Sequence, residues 1–384
     1  MNETRREFEQ VMRQFEAYAA DPLGCARRWK DSTNGKVVGC VGLHVPEEIV
    51  AAAGMLPVLL LEKQGPIVKA NAHVQNFMCG YIRSFADQAL TGDLDFLDSM
   101  VILDSCHVIR MIGDLLRHSA PQLSRIDFLY FPVSLQASGA LNYLDSELVS
   151  FVKRMEEVAG RSISDEDLSE AIRRHNTNRR LFQSLYSLRR ENPGIIDAVQ
   201  VSNIVKSSMC MPKDEHSALL VELLQALESK RSERRRYSVP IVVSGCLCET
   251  CDEILASLEA SGATVVDDDL YVGSRYFGTL IDETIPPLQG LANAYMNKIA
   301  PCPTVCNTDR NLGDYLAQMA RNANAAGVIN VIVKYCEAHF YSYLMLRRRL
   351  KDLGIPEYMV EKEHDASAEG QIKTRLQGFL EGLR

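Results

Sequence analysis

Short apolar runs alternate with segments of helical periodicity over the first 140 residues. Apolar residues recur at helical spacing over residues 2–20. Residues 37–61 predict a strand, a helix and a second strand, because Pro46 and the two glutamates after it suit a first helical turn and Gly54 suits a helix end. Strands that alternate with helices predict a parallel α/β sheet. The pattern continues with a helix over about 75–90, a strand at 99–104, a helix after Cys106 and a strand at 126–133.

Residues 141–236 carry a different pattern, in which amphipathic helices follow one another without strands. Ser164 to Asp167 resembles an N-terminal capping box, and the charged run KRSERRR closes the region. Strand and helix patterns then alternate again to the end of the chain. We therefore expect three parts: an N-terminal α/β lobe with a leading helix (1–140), a helical connecting region (141–236) and a C-terminal α/β lobe (237–384). The second lobe has predicted strands in VPIVVSG, ATVVDDD, VINVIVKYC and IPEYMVEKE.

Composition narrows the class of protein. The chain has 384 residues, 46% of them apolar, which exceeds the usual size of one hydrophobic core. Its net charge of −8 argues against nucleic acid as the main partner, although a local basic patch can bind an anionic ligand such as CoA. There is no run of about 18 apolar residues and no apolar segment in the charged N-terminus, so we expect a cytoplasmic protein without a membrane span.

Eleven cysteines make metal or redox chemistry a leading hypothesis. In a reducing cytosol they do not form a disulfide framework, and buried thiols without chemistry are the main alternative. Cys106 and Cys336 each follow a predicted strand, and ligands of open α/β sheets bind beyond the carboxyl ends of strands. Cys79 lies at or just inside a predicted helix. Because the three are far apart in the sequence, spacing alone does not distinguish a shared site from three buried thiols.

Two further groups of cysteines are candidates for chemistry. GCLCETC holds Cys246, Cys248 and Cys251 between a predicted strand and helix, where a redox or metal site, a phosphate contact and a structural loop are all open interpretations. Cys302 and Cys306 lie in the Pro-rich segment CPTVC, a candidate cleft lining. Hydrolytic motifs of the forms G-x-S-x-G, H-E-x-x-H and G-x-x-x-x-G-K-[ST] are absent. If ATP takes part, another protein must hydrolyse it.

Several motifs, in order along the chain, resemble the superfamily of 2-hydroxyacyl-CoA dehydratases and ATP-dependent benzoyl-CoA reductases. They are RRWKDSTNGKVVG, VPEEIVAAAGMLPV, CGYIRSFADQALTGDLDFLD, CHVIR, SGCLCETCDEILASLEASGATVVDDD, APCPT, KYCEAH and EKEHDASAEGQIKTRLQGFLE. The N-terminal half looks most like the smaller catalytic subunit of benzoyl-CoA reductases. The resemblance implies two flavodoxin-like lobes joined by a helical segment, with an iron–sulfur cluster in the cleft between them.

The resemblance also implies a cofactor, partners and a reaction. Motif by motif, Cys79, Cys106 and Cys336 would ligate a [4Fe–4S] cluster with one open iron position. The implied partners are a homologous second catalytic subunit, in a heterodimer or homodimer, and an ATP-hydrolysing iron–sulfur activator that donates electrons. The implied reaction is dearomatising reduction of an aromatic acyl-CoA under anaerobic conditions. Radical dehydration of a 2-hydroxyacyl-CoA, and electron relay to a partner that holds the substrate, are the alternatives.

Some residues extend the resemblance and others depart from it. Glu48 matches an acidic residue of the family and is a candidate acid/base or supporting group, with helix-dipole electrostatics as the alternative. Arg83 is a candidate contact to the cluster or the acyl-CoA, with a surface salt bridge as the alternative. The family usually has aspartate where His107 stands. The extra cysteines Cys246, Cys248, Cys251 and Cys302 keep open a double-cubane [8Fe–9S] cluster, as in some relatives.

Overall fold

The described part of the chain contains two four-stranded sheets, both entirely parallel and accompanied by helices, so the predicted α/β fold is confirmed. The computed structural model describes residues 2–123, 125–229, 238–245, 251–364 and 369–384. The first sheet has the order β2-β1-β3-β4 and the second the order β6-β5-β7-β8. The strands are β1 (Val37–Val41), β2 (Leu56–Leu59), β3 (Ser99–Leu103), β4 (Ile126–Leu129), β5 (Val239–Gly245), β6 (Ala263–Asp269), β7 (Gly327–Val333) and β8 (Glu357–Lys362).

The strand order of both sheets reverses beside the first strand of each lobe. In the first sheet the chain moves from β1 to one edge and then returns to the other side through β3; β5 and β7 repeat this in the second sheet. Such a reversal opens a crevice at the carboxyl ends of the two central strands, because the flanking crossovers lie on opposite faces of the sheet. Residues that follow β1, β3, β5 and β7 are therefore positioned to line ligand sites.

Fifteen helices in the described residues pack on these sheets and between them. The first lobe has α1 (Asn2–Ala20), α2 (Pro22–Thr33), α3 (Glu47–Ala52), α4 (Gly80–Thr91) and α5 (His107–Ser119). The central helices are α6 (Ala140–Ala159), α7 (Asp165–Glu191), α8 (Ala198–Ser208) and α9 (Lys213–Glu228). The second lobe has α10 (Cys251–Ala260), α11 (Ser274–Phe277), α12 (Pro287–Asn297), α13 (Leu312–Asn322), α14 (Glu337–Asp352) and α15 (Glu369–Gly382). None of these helices has the length and apolar content of a membrane span.

Three apolar cores hold the elements together. One core packs against the second sheet. Another covers one face of the first sheet, here called the far face, and the largest joins the opposite face of the first sheet to α1 and the central helices. That largest core also takes in Phe277 and Leu291 from helices of the second lobe. Burial of apolar side chains from both lobes in one core ties the two sheets to a common helical layer.

Local expectations were mostly confirmed, with two corrections. The capping box is present: Ser164 accepts from the Asp167 amide while the Asp167 carboxylate accepts from the Ser164 amide. The helix expected over about 75–90 instead begins at Gly80, because Cys79 has an extended backbone with ψ of 145°. The strand expected at 126–133 ends at Leu129, shortly before Pro132, which lacks the N–H that a sheet ladder needs.

Candidate functional site

The switch points of both sheets open into one cavity of about 390 Å³, here called the cysteine cavity. Gly42 and His44 enter it from the end of β1, and Gly245 enters it from the end of β5. Cys106 follows β3, and Cys336 follows β7. The two sheets therefore face each other across a single space, built from the positions at which parallel α/β sheets bind ligands.

Cys79, Cys106 and Cys336 all line the cysteine cavity and share one local geometry. Each is the residue directly before a helix: Cys79 precedes α4, Cys106 precedes α5 and Cys336 precedes α14. A helix N-terminus presents unpaired N–H groups and the positive end of the dipole, which favour a thiolate. Three helix N-termini therefore bring positive potential to one cavity.

The cysteines also connect the cores of the two lobes. Cys106 packs against the core on the far face of the first sheet, and Cys336 packs against the core of the second sheet. Cys79 packs against both. The site thus depends on the two lobes keeping a fixed relative position.

Burial disfavours the thiolate form of Cys79 and Cys106. Burial raises the pKa of Cys79, and the nearby Cys336 and Cys106 raise it further, while the Ile82 amide acts in the opposite direction. Burial is also the largest cause of the raised pKa of Cys106, with Cys336 adding to it. Clustered buried thiols ionise readily only when a cation neutralises them, as metal ligation does.

The donor set of the cysteine cavity is compatible with a cluster, whose binding stays a prediction. In the described part of the chain, no three His, Cys, Asp or Glu side chains converge closely enough to hold a single metal ion. A cubane distributes its ligands over separate irons, so its thiolates stand further apart than the ligands of one ion. Three cysteines around a cavity of about 390 Å³ fit that arrangement.

Strain and polar contacts surround Cys336. Tyr335 has φ of 70°, a left-handed conformation that is costly for an aromatic residue and is concentrated at functional sites. The Sγ of Cys336 lies 3.3 Å from Nδ1 of His339. His107 Nδ1, after Cys106, lies 3.8 Å from Glu337 Oε2, after Cys336. His107, which stands where the family usually has aspartate, therefore lies close to a carboxylate of the other lobe.

Of the additional candidate cysteines, the described residues place only Cys302 in the cysteine cavity. Its Sγ lies 3.1 Å from Thr304 Oγ1, while Cys306 is exposed and its amide bonds to the Val133 carbonyl. Arg275 holds this loop by donating to the Pro301 carbonyl at 2.9 Å. Cys246 and Cys248 lie outside the described residues; Cys251 begins α10, and its side chain also lies outside them.

Glu48 lines a second cavity of about 90 Å³, here called the Glu48 cavity, which shares the walls Leu43, His44 and Arg275 with the cysteine cavity. Burial alone would raise the pKa of Glu48, but Arg179, whose Nη2 lies 2.6 Å from Glu48 Oε1, outweighs it and the pKa is lowered to about 2. Glu48 is therefore a carboxylate at any physiological pH. This favours a role in orienting polar groups over a role as a general acid.

Arg83 lies on α4 but does not line the cysteine cavity. The side chain is buried, its Nη2 donates to Asn71 Oδ1 at 2.9 Å, and its Nε has no hydrogen-bond partner among the described residues. The structure thus gives Arg83 a contact that holds α4 to the 3-10 turn Ala70–Ala72. Its proposed contact with cofactor or substrate stays a prediction.

Sequence reasoning missed two cavity-lining residues, His44 and Tyr271. Burial and the nearby Arg275 lower the pKa of His44 to about 4, so this imidazole is neutral at pH 7. The Tyr271 hydroxyl is buried and has no hydrogen-bond partner within the part of the chain that the structure describes, so a bound ligand is a natural acceptor. His44 follows β1 and Tyr271 follows β6. The rule that ligands bind beyond the carboxyl ends of strands, which indicated Cys106 and Cys336, would also have indicated His44 and Tyr271.

Comparison with known proteins identifies the chain at the level of family. Residues 42–383 match the family described as 2-hydroxyglutaryl-CoA dehydratase, D-component. The chain belongs to this family. It is thereby a member of the superfamily of acyl-CoA dehydratase and benzoyl-CoA reductase subunits, as the motifs indicated.

Three similar relatives extend over nearly the whole chain. The (R)-phenyllactyl-CoA dehydratase beta subunit of Clostridium sporogenes is 27% identical over 96% of this chain and 97% of its own. A benzoyl-CoA reductase subunit of Thauera aromatica is 26% identical over 94% of each chain. The lactoyl-CoA dehydratase beta subunit of Anaerotignum propionicum is 26% identical over 98% of this chain and 99% of its own. All three are named as subunits of enzymes that act on CoA thioesters.

Proposed function

We propose that this 2-hydroxyglutaryl-CoA dehydratase D-component family member is the iron–sulfur subunit of an enzyme that acts on an acyl-CoA. Cys79, Cys106 and Cys336 would hold a [4Fe–4S] cluster. The observation that carries the proposal is that all three precede a helix and line one cavity at the switch points of both sheets. When bound, the cluster would supply single electrons at low potential.

The remaining walls of the cysteine cavity support binding of an apolar acyl group. Tyr81, Ile82, Leu103, Ile109 and Tyr271 contribute aromatic and aliphatic surface next to the thiols. Such walls exclude water, and among the polar groups of the cavity His44 and the buried Tyr271 hydroxyl would orient a thioester oxygen by hydrogen bonds. A neutral imidazole at His44 either donates or accepts one hydrogen bond without bringing charge into the cavity.

The reaction we propose is reduction of an aromatic acyl-CoA of the benzoyl-CoA type. Support comes from the apolar cavity and from the likeness to the benzoyl-CoA reductase subunit of Thauera aromatica. Dehydration of a 2-hydroxyacyl-CoA is the second candidate, favoured by the family description and by the (R)-phenyllactyl-CoA dehydratase beta subunit. Both reactions use a thioester-activated acyl group.

We further propose two protein partners and one cofactor alternative. A homologous second catalytic subunit is supported by the names of the relatives, each of which is a subunit of a larger enzyme. An ATP-hydrolysing iron–sulfur activator would donate the electrons, since the chain has no P-loop motif of its own. A double-cubane [8Fe–9S] cluster is the cofactor alternative, because Cys302 lines the same cavity as the three proposed ligands.

Product analysis tests the proposal and separates the two reactions. The chain is purified anaerobically with its homologous subunit and supplied with activator, ATP and either benzoyl-CoA or (R)-phenyllactyl-CoA. A cyclic diene from benzoyl-CoA supports reduction, while an unsaturated acyl-CoA formed by loss of water supports dehydration. Cys106→Ser in this chain should abolish either product, and Cys25→Ser, which alters a buried thiol outside the cavity, should not. Full turnover by Cys106→Ser would contradict the proposal.

A further inference from the structure

Two further cavities lie beyond the Glu48 cavity, and the larger of them is lined in part by exposed residues such as Asp214 and Glu215. The nearer one has about 30 Å³ and is called the polar chamber. Its polar walls are Glu47, Glu48, His175, Asn178, Arg179, Lys213 and Tyr276. The further one has about 830 Å³ and is called the outer cavity; it lies between α3, α7 and the start of α9. At about 10–15 Å³ for each water, the polar chamber has room for about two waters with several polar partners.

Shared walls connect these spaces in series. His175 and Lys213 line both the outer cavity and the polar chamber. Glu48, Arg179 and Tyr276 line both the polar chamber and the Glu48 cavity. His44 and Arg275 in turn lie between the Glu48 cavity and the cysteine cavity, so the four cavities adjoin one another in series from the outer cavity to the cysteines.

Charged and polar groups in the polar chamber are joined by hydrogen bonds. Lys213 Nζ donates to Tyr276 Oη at 2.6 Å and lies 3.1 Å from Glu47 Oε2. The Tyr276 hydroxyl donates to Glu47 Oε2 at 3.0 Å. A hydrogen-bonded ammonium, phenol and carboxylate therefore line the polar chamber together.

His175 differs from the others because one of its ring nitrogens is unused. Its Nδ1 lies 2.8 Å from the Ala171 carbonyl, which only accepts, so Nδ1 carries the hydrogen. The Nε2 atom is buried, has no hydrogen-bond partner in the described residues and lies 3.8 Å from Glu47 Oε2. The neutral ring therefore presents a lone pair to the chamber at the wall that separates it from the outer cavity.

We propose that the polar chamber is a proton passage between the surface and the cysteine cavity, with His175 as its proton carrier. This inference rests on the proposed function, since either proposed reaction exchanges protons with a buried acyl group. A hydronium ion in the outer cavity gives its proton to His175 Nε2 and is left as water. The ring then gives that proton to the Glu47 carboxylate, which becomes a carboxylic acid, or to a chamber water, which becomes hydronium and passes the proton on. His175 returns to its neutral form, and no electron moves in any of these steps.

Burial and four charged groups set the affinity of His175 for protons. Burial lowers the pKa of His175, and the positive charges of Lys213 and Arg179 lower it too, while the carboxylates of Glu47 and Glu48 raise it. The passage therefore contains cations and carboxylates that oppose each other around one imidazole. Because the two carboxylates oppose the effects of burial and of the two cations, the protonated ring also has compensating neighbours.

Chemical rescue tests the proton-carrier role. His175→Ala should lower turnover about 100-fold, the lower end of the range for a positioned acid or base. Added imidazole has space to enter through the outer cavity and should restore at least part of the lost turnover. His216→Ala is the matched control: His216 is also buried among the central helices, but both of its ring nitrogens have partners and it lines none of the four cavities.

The outcomes separate the carrier role from a structural role. Rescue of His175→Ala, without rescue of His216→Ala, supports the passage, because imidazole replaces a proton carrier but not a packing contact. Full turnover of His175→Ala, or a loss that imidazole leaves unchanged, would overturn it. His175→Gln, which keeps a polar side chain of similar length, should remain folded and show the same loss if His175→Ala does not fold.

A second measurement does not depend on turnover and so distinguishes failure of the passage from failure of the proposed function. Histidine-selective 15N NMR of the whole chain should show His175 with Nδ1 protonated and Nε2 bare at pH 7. The pKa of His175 should rise in Lys213→Met, which removes a cation, and fall in Glu47→Gln, which removes a carboxylate. A protonated Nε2 at pH 7, or a pKa that neither variant moves, would overturn the inference even if the enzyme is active. Wild-type protein inactive on every acyl-CoA but with these NMR shifts would reject only the proposed function.

Discussion

Glu62 and His364 form a buried hydrogen-bonded pair that joins the two lobes beside Cys79. Glu62 follows β2 of the first sheet and His364 follows β8 of the second, and each side chain is 1% exposed. His364 Nε2 donates to the Gly65 carbonyl at 2.9 Å, and His364 Nδ1 is hydrogen-bonded to Glu62 Oε1. A Cβ added at Gly80 would lie 2.6 Å from the Cβ of His364, so the pair contacts the first residue of α4.

Removal of one partner should weaken the contact between the lobes. We expect His364→Ala to lower the free energy of unfolding by about 3 kcal/mol, because it leaves Glu62 buried without its partner. Iron binding should fall as well, since Cys79 directly precedes Gly80. Urea unfolding of the purified chain measures the first effect. His118→Ala, at an exposed histidine of α5, is the control and should change stability by less than about 0.5 kcal/mol. Equal midpoints for wild type and His364→Ala would contradict the proposed interlobe role.

Gly245 should tolerate no side chain at the end of β5. Its φ is 148°, and an added Cβ would lie 1.8 Å from the Val331 carbonyl oxygen of β7. Because backbone rather than a flexible side chain blocks the space, Gly245→Ala should destabilise the fold by about 3 kcal/mol and disturb the cysteine cavity.

The same substitution at Gly378 provides a control for Gly245→Ala. Gly378 is inside α15, and no described atom lies within 4 Å of an added Cβ. Alanine there should raise the free energy of unfolding by about 0.5–1 kcal/mol, because it lowers the entropy of the unfolded chain. Thermal unfolding of both variants checks the pair of predictions. Similar melting temperatures for the two variants would mean that the β5–β7 contact is not as tight as described.

Glu259 should make stability fall as the pH rises. Burial, with a smaller effect of Asp197, raises the pKa of Glu259 to about 7. A carboxyl with a raised pKa in the folded state stabilises fully below its ordinary pKa, near 4.5, and this contribution is lost as the pH rises through about 7.

Glu259→Gln keeps the acceptor for the Ala198 amide but carries no charge. The variant should therefore melt at a higher temperature than wild type at pH 8 and at nearly the same temperature at pH 4.5. Melting curves across this range test the sign, with Glu381→Gln at an exposed position of α15 as the control. A constant difference between Glu259→Gln and wild type at all pH values would show that ionisation is not the cause.

The parts of the site that the sequence predicts are those that follow from local pattern. Cys106 and Cys336 each follow a continuous apolar run, and such runs predict buried parallel strands whose carboxyl ends share one edge. Cys79 has no such signal, because it precedes a helix and its distance along the chain from Cys106 carries no spacing rule. Only the resemblance to a family predicted that Cys79 belongs to the site.

Contacts between distant segments lay beyond sequence reasoning. Glu62 and His364 are about 300 residues apart, and nothing in either neighbourhood indicates that β2 and β8 end close together. His175 is an interior position of a long amphipathic helix, where a buried polar residue is indistinguishable by pattern from one satisfied within the core. Only the structure shows that Nε2 of His175 lacks a hydrogen-bond partner among the described residues, because it places the Ala171 carbonyl at Nδ1 and Glu47 3.8 Å from Nε2.

Iron and acid-labile sulfide analysis of the anaerobically purified chain tests the central claim most directly. The account predicts about four irons and four sulfides per chain in the wild type and a large loss in Cys79→Ser, Cys106→Ser and Cys336→Ser. Cys25→Ser should keep the wild-type content. About eight irons would instead favour the double-cubane cluster. Wild-type protein without iron, or Cys106→Ser with an undiminished iron content, would contradict the assignment of the three cysteines as cluster ligands.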